Sequence, residues 1–168
     1  MRKFLVVNFA IVLVLSITFS NSKAQGLGFK GVGGRLSFVD PESPIGSTIG
    51  FGGHVHLGEI ITNLALYPSL EYWSKSDVSS FVINGNVRYY FPTSGNIDLF
   101  GGGGLAISFV NIETASGDNN TTDIGLNLLG GADFPIGENL VATAKLTFLI
   151  SDIDVLKITG GITYLLRK

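Results

Sequence analysis

Residues 81–91 read Phe81-Val82-Ile83-Asn84-Gly85-Asn86-Val87-Arg88-Tyr89-Tyr90-Phe91, and apolar and polar side chains alternate along them. One parity carries Phe81, Ile83, Val87, Tyr89 and Phe91, and the other carries Asn84, Asn86 and Arg88. A period of two is the signal of a β-strand whose two faces meet different surroundings. The stretch therefore predicts a strand that separates an apolar environment from a polar one.

Seven further segments continue this alternation. Residues 140–150 and 156–164 repeat it clearly, and the others are roughly 27–39, 48–57, 64–73, 97–110 and 124–134. In the segment 27–39, Phe29 and Leu36 have opposite parity. They can share a face only if the strand contains a bulge, which we place near Gly33-Gly34. The sequence therefore predicts eight strands of the length expected for a small barrel.

The predicted connections fall into two classes. Residues 59–63, 92–96 and 135–139 form tight turns, in which Pro ends a ladder and Gly or Asn accepts a positive φ. Residues 40–47, 74–79, 111–122 and 151–154 are longer or more polar, and 111–122 reads as a solvated loop. Short turns on one side and longer loops on the other are typical of barrels in the outer membrane.

The composition excludes several classes of protein. The 168 residues suffice for one domain, with 45% hydrophobic and only 14% charged residues, well below the usual quarter. The absence of Cys excludes a disulfide scaffold and a cysteine-ligated metal site. A net charge of −2 offers no electrostatic footprint for nucleic acid.

The first 24 residues have the layout of a secretory signal peptide. Arg2 and Lys3 precede an apolar run over 4–19, and Ser22-Lys23-Ala24 supplies the small residues of a cleavage site before Gln25. The alternative, a membrane anchor, requires about 20 apolar residues, more than this run contains. We therefore predict a cleaved signal peptide at 1–24 and a barrel domain at 25–168.

Charged residues and both histidines avoid the apolar parity. They are Lys30, His54, His56, Glu71, Arg88, Asp98, Asp133, Lys145 and Lys157. In a soluble barrel they would face water, whereas a membrane barrel has a polar interior and an apolar outer band. We favour the second arrangement and predict a lumen network of mixed sign, because buried charges need partners. The face of Arg35 stays open, since it lies near the expected bulge.

Aromatic residues concentrate near both ends of the strands. One set contains Tyr89, Tyr90, Phe91, Phe100 and Phe134, and the other contains Tyr72, Trp73, Phe81 and Phe109. Two such sets predict aromatic girdles at the two membrane interfaces, with chance clustering in a Phe-rich chain as the alternative. Glycines within the strands permit strong bending and leave room in the lumen for side chains such as Arg88.

The sequence offers little catalytic or metal chemistry. His54 and His56 share one strand face, but zinc needs a third protein ligand, and only generic carboxylates such as Glu71 are available. A hydrogen bond inside the barrel is the favoured role for these rings. No Gly-x-Ser-x-Gly elbow occurs. We therefore predict no catalytic residue, no metal site and no cofactor.

The run from Val87 to Ala106 combines Val-Arg-Tyr-Tyr-Phe-Pro with Thr-Ser-Gly-Asn-Ile-Asp-Leu-Phe and Gly-Gly-Gly-Gly-Leu-Ala. It resembles the central hairpin of the small outer-membrane β-barrel family, which includes the transmembrane domain of OmpA and the OmpX-type proteins. The resemblance implies an all-β, eight-stranded antiparallel up-and-down transmembrane barrel in a bacterial outer membrane. It also implies a terminal aromatic residue read by the insertion machinery, a role that Tyr164 can fill although the chain ends in Arg167-Lys168.

The function expected from these observations is structural or surface interaction, without catalysis. The barrel would be a monomer, anchored in outer-membrane lipid and delivered by the insertion machinery, with its loops free for an unknown extracellular partner. A narrow ion or small-solute channel is the first alternative. A lipid-modifying enzyme and a soluble periplasmic barrel with an apolar ligand are the others.

Overall fold

A computed structural model describes residues 26–114 and 117–166. The predicted signal peptide lies outside these ranges, so it and the 25–168 domain boundary stay predictions. Within them the chain forms eight strands: β1 Leu27–Pro41, β2 Thr48–Ile61, β3 Leu64–Lys75, β4 Val78–Tyr90, β5 Asp98–Thr114, β6 Gly117–Pro135, β7 Leu140–Ile150 and β8 Val155–Leu165. No helix in the described ranges is long and apolar enough to cross a membrane.

The strands close into a single barrel. Each strand pairs antiparallel with its chain neighbours, and β1 pairs with β8 from Gly31↔Leu165 to Pro41↔Val155. Closure matters because it leaves no strand edge through the body of the barrel, and an open edge cannot face hydrocarbon. The predicted all-β, eight-stranded up-and-down barrel is confirmed.

A bulge occurs in β1, but not where the sequence placed it. The register with β2 shifts between Leu27 and Gly31, whereas Gly33 and Gly34 pair regularly with both neighbouring strands. Phe29 and Leu36 are both exposed on the outside, at 55% and 64%. The prediction that β1 contains a bulge is confirmed, but its predicted position at Gly33-Gly34 is a few residues too far along the strand.

The predicted loop at 111–122 is wrong. Strands β5 and β6 pair without interruption from Asp98↔Asp133 to Thr114↔Gly117. Polar Asn and Thr side chains suggested a loop, but Thr is a good strand former, and a hairpin leaves its side chains in water. Since β6 pairs with β7 only from Leu126↔Ile150, residues 111–114 and 117–125 form a hairpin that projects beyond β7. We call this segment the projecting hairpin.

The two ends of the barrel differ less in link length than expected. The hairpin end carries the links 42–47, 76–77 and 151–154, and the amino-terminal end carries 62–63, 91–97 and 136–139. The predicted contrast in length is therefore wrong, because 91–97 exceeds every described link at the hairpin end. The projecting hairpin is what distinguishes the ends.

Side chains alternate between the interior and the outside as predicted for a membrane barrel. Val82, Asn84, Asn86 and Arg88 are buried, whereas Phe81 and Ile83 are 40% and 37% exposed. The same outward placement holds for Val32, Leu36, Phe38, Ile49, Phe51, Leu70, Leu105, Leu126, Leu128, Leu146, Phe148, Ile158 and Ile162. A soluble monomer does not expose an apolar surface of this extent, so the band faces hydrocarbon.

Three aromatic residues predicted for the girdles lie inside instead. Trp73 and Phe100 are each 3% exposed, and the Tyr90 hydroxyl hydrogen-bonds an interior carboxylate. Trp73 belongs to an apolar cluster inside the barrel near the hairpin end, together with Val39, Val82, Ala106, Leu149 and Val155. Position along the strand predicted an interface location for these residues, but parity decides which face of the barrel each side chain occupies.

An alanine at Gly102 is expected to destabilise the barrel by about 1–3 kcal/mol through overpacking. A Cβ there would overlap the Val87 carbonyl oxygen and lie 3.1 Å from the Arg88 Cα. Gly85 is the matched control, since its added Cβ meets nothing within 4 Å. Urea unfolding of Gly102→Ala and Gly85→Ala in micelles measures the difference, and equal midpoints would contradict the packing argument.

Candidate functional site in the barrel interior

The barrel interior gathers most of the charged residues predicted from parity. His54, Glu71, Arg88, Asp133, Lys145 and Lys157 are buried. His56 and Lys30 are half-buried, and Asp98 is exposed at the amino-terminal end, so it does not join the buried network. Arg35, which the sequence left unassigned, is 8% exposed and points inward.

Glu71 on β3 is the centre of one cluster. Lys157 Nζ on β8 donates to Glu71 Oε1 at 2.5 Å, and Arg35 Nε on β1 lies 3.5 Å from Oε2. Ser37 Oγ donates to Oε2 at 3.3 Å and lies 2.9 Å from Thr159 Oγ1. One carboxylate thus serves two buried cations and ties three strands together across the lumen.

Asp133 on β6 is the centre of the second cluster. The Tyr90 hydroxyl donates to its Oδ2 at 2.8 Å, and the Thr143 hydroxyl donates to its Oδ1 at 2.6 Å. Arg88 Nη1 lies 3.6 Å from Oδ2. The Tyr67 hydroxyl completes the chain of contacts, 2.8 Å from that of Tyr90. Hydrogen bonds to a buried carboxylate offset much of the cost of its burial.

The Arg88 guanidinium also packs against aromatic rings. Its Cζ lies 4.0 Å from the centroid of Tyr67 and 4.4 Å from that of Phe100. Such cation–π contacts stabilise a desolvated cation. They explain why Phe100 points inward, a role that the girdle interpretation missed.

The two histidines have different partners. His54 Nε2 lies 2.8 Å from Thr163 Oγ1, and the His56 ring stacks on Tyr67 with centroids 4.5 Å apart and planes 9° apart. The part of the chain that the structure describes contains no group of three His, Cys, Asp or Glu side chains able to hold a metal ion. The arrangement positions the imidazoles as packing and hydrogen-bonding groups.

An asparagine bridge crosses the lumen between β6 and β4. The Asn127 side-chain amide donates to Asn84 Oδ1 at 2.8 Å and to Asn86 Oδ1 at 2.9 Å. Sequence reasoning placed Asn84 and Asn86 on the polar face but missed Asn127. Its parity with Asp133 on the same strand was the available signal.

A cavity of about 490 Å³ lies at the amino-terminal end of the lumen. Lys30, His56, Tyr67, Asp98 and Asp133 are among the residues that line it. Farther along the strands come the Glu71 cluster and then the apolar cluster around Trp73. The polar end of the interior is therefore roomy, and the hairpin end is packed with apolar side chains.

Comparisons of the sequence and of the fold with known proteins identify similar outer-membrane β-barrels. The sequence profile of the family described as outer membrane protein beta-barrel domain matches residues 9–163. No curated protein matches the sequence. Neisserial surface protein A, NspA, superposes with a TM-score of 0.67 at 17% identity, over 81% of this chain and 96% of that one.

Two other solved barrels are similar in fold. The N-terminal β-barrel domain of Pseudomonas aeruginosa OprF has a TM-score of 0.66 at 16% identity. The superposition covers 84% of this chain and 100% of the OprF domain. Ail, the attachment invasion locus protein of Yersinia pestis, has a TM-score of 0.59 at 12% identity, over 83% and 99%. The three solved structures establish the fold, and the match to the family profile over residues 9–163 establishes the family. An apolar outer band around a polar lumen agrees with both, and the chain therefore belongs to the outer membrane protein beta-barrel domain family and resides in the bacterial outer membrane.

Proposed function

We propose that this barrel is a non-catalytic surface-interaction protein whose hairpin end faces outward and binds a positively charged partner. The observation that carries the proposal is the charge of that end. Its acidic residues are Asp40, Glu42, Asp77, Glu113, Asp118, Asp123, Asp152 and Asp154. Lys75 is the basic residue that accompanies them in the described ranges.

A one-sided charge of this kind favours basic partners. Like charges concentrated at one end create a potential that steers oppositely charged molecules and repels others. Ail has been solved in complex with the heparin analogue sucrose octasulfate, a polyanion. The acidic end described above would repel such a molecule, so we do not extend that ligand to this chain.

The projecting hairpin supports an interaction role. Residues 117–125 of β6 have no β7 residues opposite them, although the Asp152 backbone N–H donates to Asp123 Oδ2 at 3.1 Å and ties the hairpin to the 151–154 link. Exposed edges of this type are surfaces on which proteins recognise one another. The proposed working form is a monomer in outer-membrane lipid, delivered by the insertion machinery.

The alternatives fit the interior less well. A narrow channel would need a continuous path, but the apolar cluster around Trp73 occupies the lumen near the hairpin end. An enzyme would need a poised nucleophile or base, and His54 and His56 are instead engaged by Thr163 and Tyr67. Single-channel recording in planar bilayers separates the channel from the proposed role.

Neutralising the acidic end is expected to weaken binding of a basic probe. The protein in nanodiscs of zwitterionic lipid should bind poly-L-lysine, and Asp77→Asn with Asp152→Asn should lower the affinity about 2–5-fold at low salt, with the difference fading in high salt. Both side chains are exposed. Biosensor titration against empty nanodiscs measures the change.

The matched control is a double variant at the opposite end, Glu59→Gln with Glu138→Gln, which removes the same charge from two exposed positions. It should bind the probe as the unmodified protein does. Equal losses in both variants, or tighter binding of heparin than of poly-L-lysine, would contradict the proposal.

A further inference from the structure

We propose that the outer wall of the barrel binds a lipid with an uncharged sugar headgroup, in a groove on β3, β4, β5 and β6 near the hairpin end. The lipid belongs to the membrane leaflet at that end. This site lies on the lipid-facing side of the wall, so it is separate from the acidic end proposed above to bind a basic partner and does not depend on that proposal.

Three successive rows of outward side chains cross these four strands, and each row has a different chemistry. Residues paired across neighbouring strands lie side by side on one face, so the ladders define the rows. The aliphatic row consists of Leu70, Ile83, Ile107 and Ile124. Two residues farther along each strand toward the projecting hairpin, the aromatic row consists of Tyr72, Phe81, Phe109 and, at its β6 end, Thr122. Two residues farther again, the polar row consists of Ser74, Ser79, Asn111 and Asn120.

This order matches the change from hydrocarbon to headgroups at a membrane surface. Aliphatic side chains of a barrel face the acyl chains, and aromatic side chains form girdles at the interfaces. The membrane boundary at the hairpin end therefore follows the aromatic row, and the polar row lies at the depth of the lipid headgroups.

The groove spans the aromatic and the polar rows. Its volume is about 400 Å³, within the usual range of sites for small ligands. Residues that line it include Tyr72, Phe81, Phe109, Ser79, Asn111 and Asn120. The ring centroids of Phe81 and Phe109 lie 6.4 Å apart, with 33° between the ring planes. A ligand in the groove therefore meets aromatic rings on its membrane side and hydroxyl and amide groups on its water side.

The groove is uncharged, and this selects the headgroup. Within the described ranges, its lining contains no Asp, Glu, Lys or Arg. Lys75 has the inward parity of Trp73 and lies toward the 42–47 link, with its Cε 3.9 Å from the position of a Cβ on Gly46. The next residue of outward parity on β5 after Asn111 is Glu113, which is exposed. A phosphate group would find no cation in the groove and a carboxylate close to it, whereas phosphate sites usually contain Arg or Lys.

A sugar ring satisfies both sides of the groove. Its C–H faces pack on aromatic rings, and its hydroxyl groups both donate hydrogen bonds to and accept them from Ser79, Asn111 and Asn120. The acyl chains of the same lipid continue along the aliphatic row. The headgroup of phosphatidylcholine has no hydrogen-bond donor, so it cannot make the same contacts with the polar row.

Binding can be measured on the full chain in phosphatidylcholine nanodiscs. Dioleoylglycerol with a glucose headgroup is added at increasing mole fraction, and backbone amide signals are followed by NMR. The signals of residues 109–111 and 120–122 should shift and saturate, and phosphatidic acid with the same acyl chains should shift them less. Methylation of the glucose hydroxyls removes their donors and should weaken binding about 3–10-fold, the effect of one or two lost hydrogen bonds.

Asn111→Ala and Phe81→Leu should each weaken binding of the glucose lipid about 3–10-fold. Two matched controls should bind it as the unmodified protein does. Asn119→Ala changes an exposed side chain on the other face of the hairpin, and Phe148→Leu changes a β7 ring that is as exposed as Phe81, at 40%.

The different migration of unheated and heated samples shows whether each variant is folded. If a groove variant fails to fold, the comparison of free and methylated glucose on the unmodified protein still decides the question. Shifts that do not saturate, or equal binding of the methylated lipid, would overturn the site. Equal or tighter binding of phosphatidic acid would overturn the sugar assignment, and equal losses in the groove and control variants would assign the shifts to general lipid contact.

Discussion

Glu71→Gln is expected to lower the free energy of unfolding by about 3–5 kcal/mol, because it leaves buried cations without their carboxylate. Lys157 Nζ and Arg35 Nε both lie next to this carboxylate, at 2.5 Å and 3.5 Å, and all three groups are buried. The glutamine keeps the shape of the side chain and one acceptor oxygen, so the loss reports charge more than packing.

The measurement is urea unfolding in micelles, followed by the different electrophoretic migration of folded and heated samples. Glu59→Gln serves as the control, since this carboxylate is exposed at the amino-terminal end and should change the midpoint little. A Glu71→Gln protein as stable as the control would mean that Lys157 and Arg35 find other partners. The cluster would then contribute specificity rather than stability.

Leu146→Arg is expected to destabilise the folded barrel in lipid by about 2–4 kcal/mol, the cost of an arginine near the middle of a barrel's lipid face. Leu146 lies midway along β7, is 52% exposed and pairs with Gly130 and Ile158. About half of this side chain's surface is open to the surroundings of the barrel, so most of the effect should come from the hydrocarbon around it. Folding titrations into lipid vesicles measure the difference.

Asn120→Arg is the control for this substitution. Asn120 is also exposed, but it lies on the projecting hairpin beyond the β7 edge, where an arginine should reach water and cost little. The contrast between the two sites tests the orientation of the apolar face directly. If Leu146→Arg were as harmless as Asn120→Arg, the outer band would face water and the membrane assignment would fail.

Parity carried most of the fold prediction. Successive side chains of a strand point to opposite faces of the barrel wall. The alternation in 81–91 was therefore enough to place Arg88 in the lumen and Phe81 toward lipid. The same alternation correctly placed Lys145, Lys157 and Glu71 in the lumen. It failed for Arg35 because a bulge changes parity at an unknown residue, and the glycines that suggested its position pair regularly.

Other features depend on contacts that local sequence does not encode. Trp73 and Tyr72 are neighbours in the chain, yet one fills the interior and the other faces outward, at 3% and 38% exposure. The partners of Glu71 and Asn127 come from distant strands, 86 residues away for Lys157 and 43 for Asn84. These pairings follow from the stagger of the closed sheet, which no single strand reveals.

The ladder between β1 and β8 has a consequence for assembly. Strand β1 finds its second neighbour only when β8 is in place, since Pro41 pairs with Val155 and Gly31 with Leu165. A chain that ends before Val155 would lack β8 and leave the backbone amide and carbonyl groups on the free edges of β1 and β7 without partners. The lipid hydrocarbon offers no hydrogen-bonding group that could replace β8. Completion of the cylinder is therefore a single late event, and a nascent chain must wait in a sheltered state until its carboxyl-terminal segment is made.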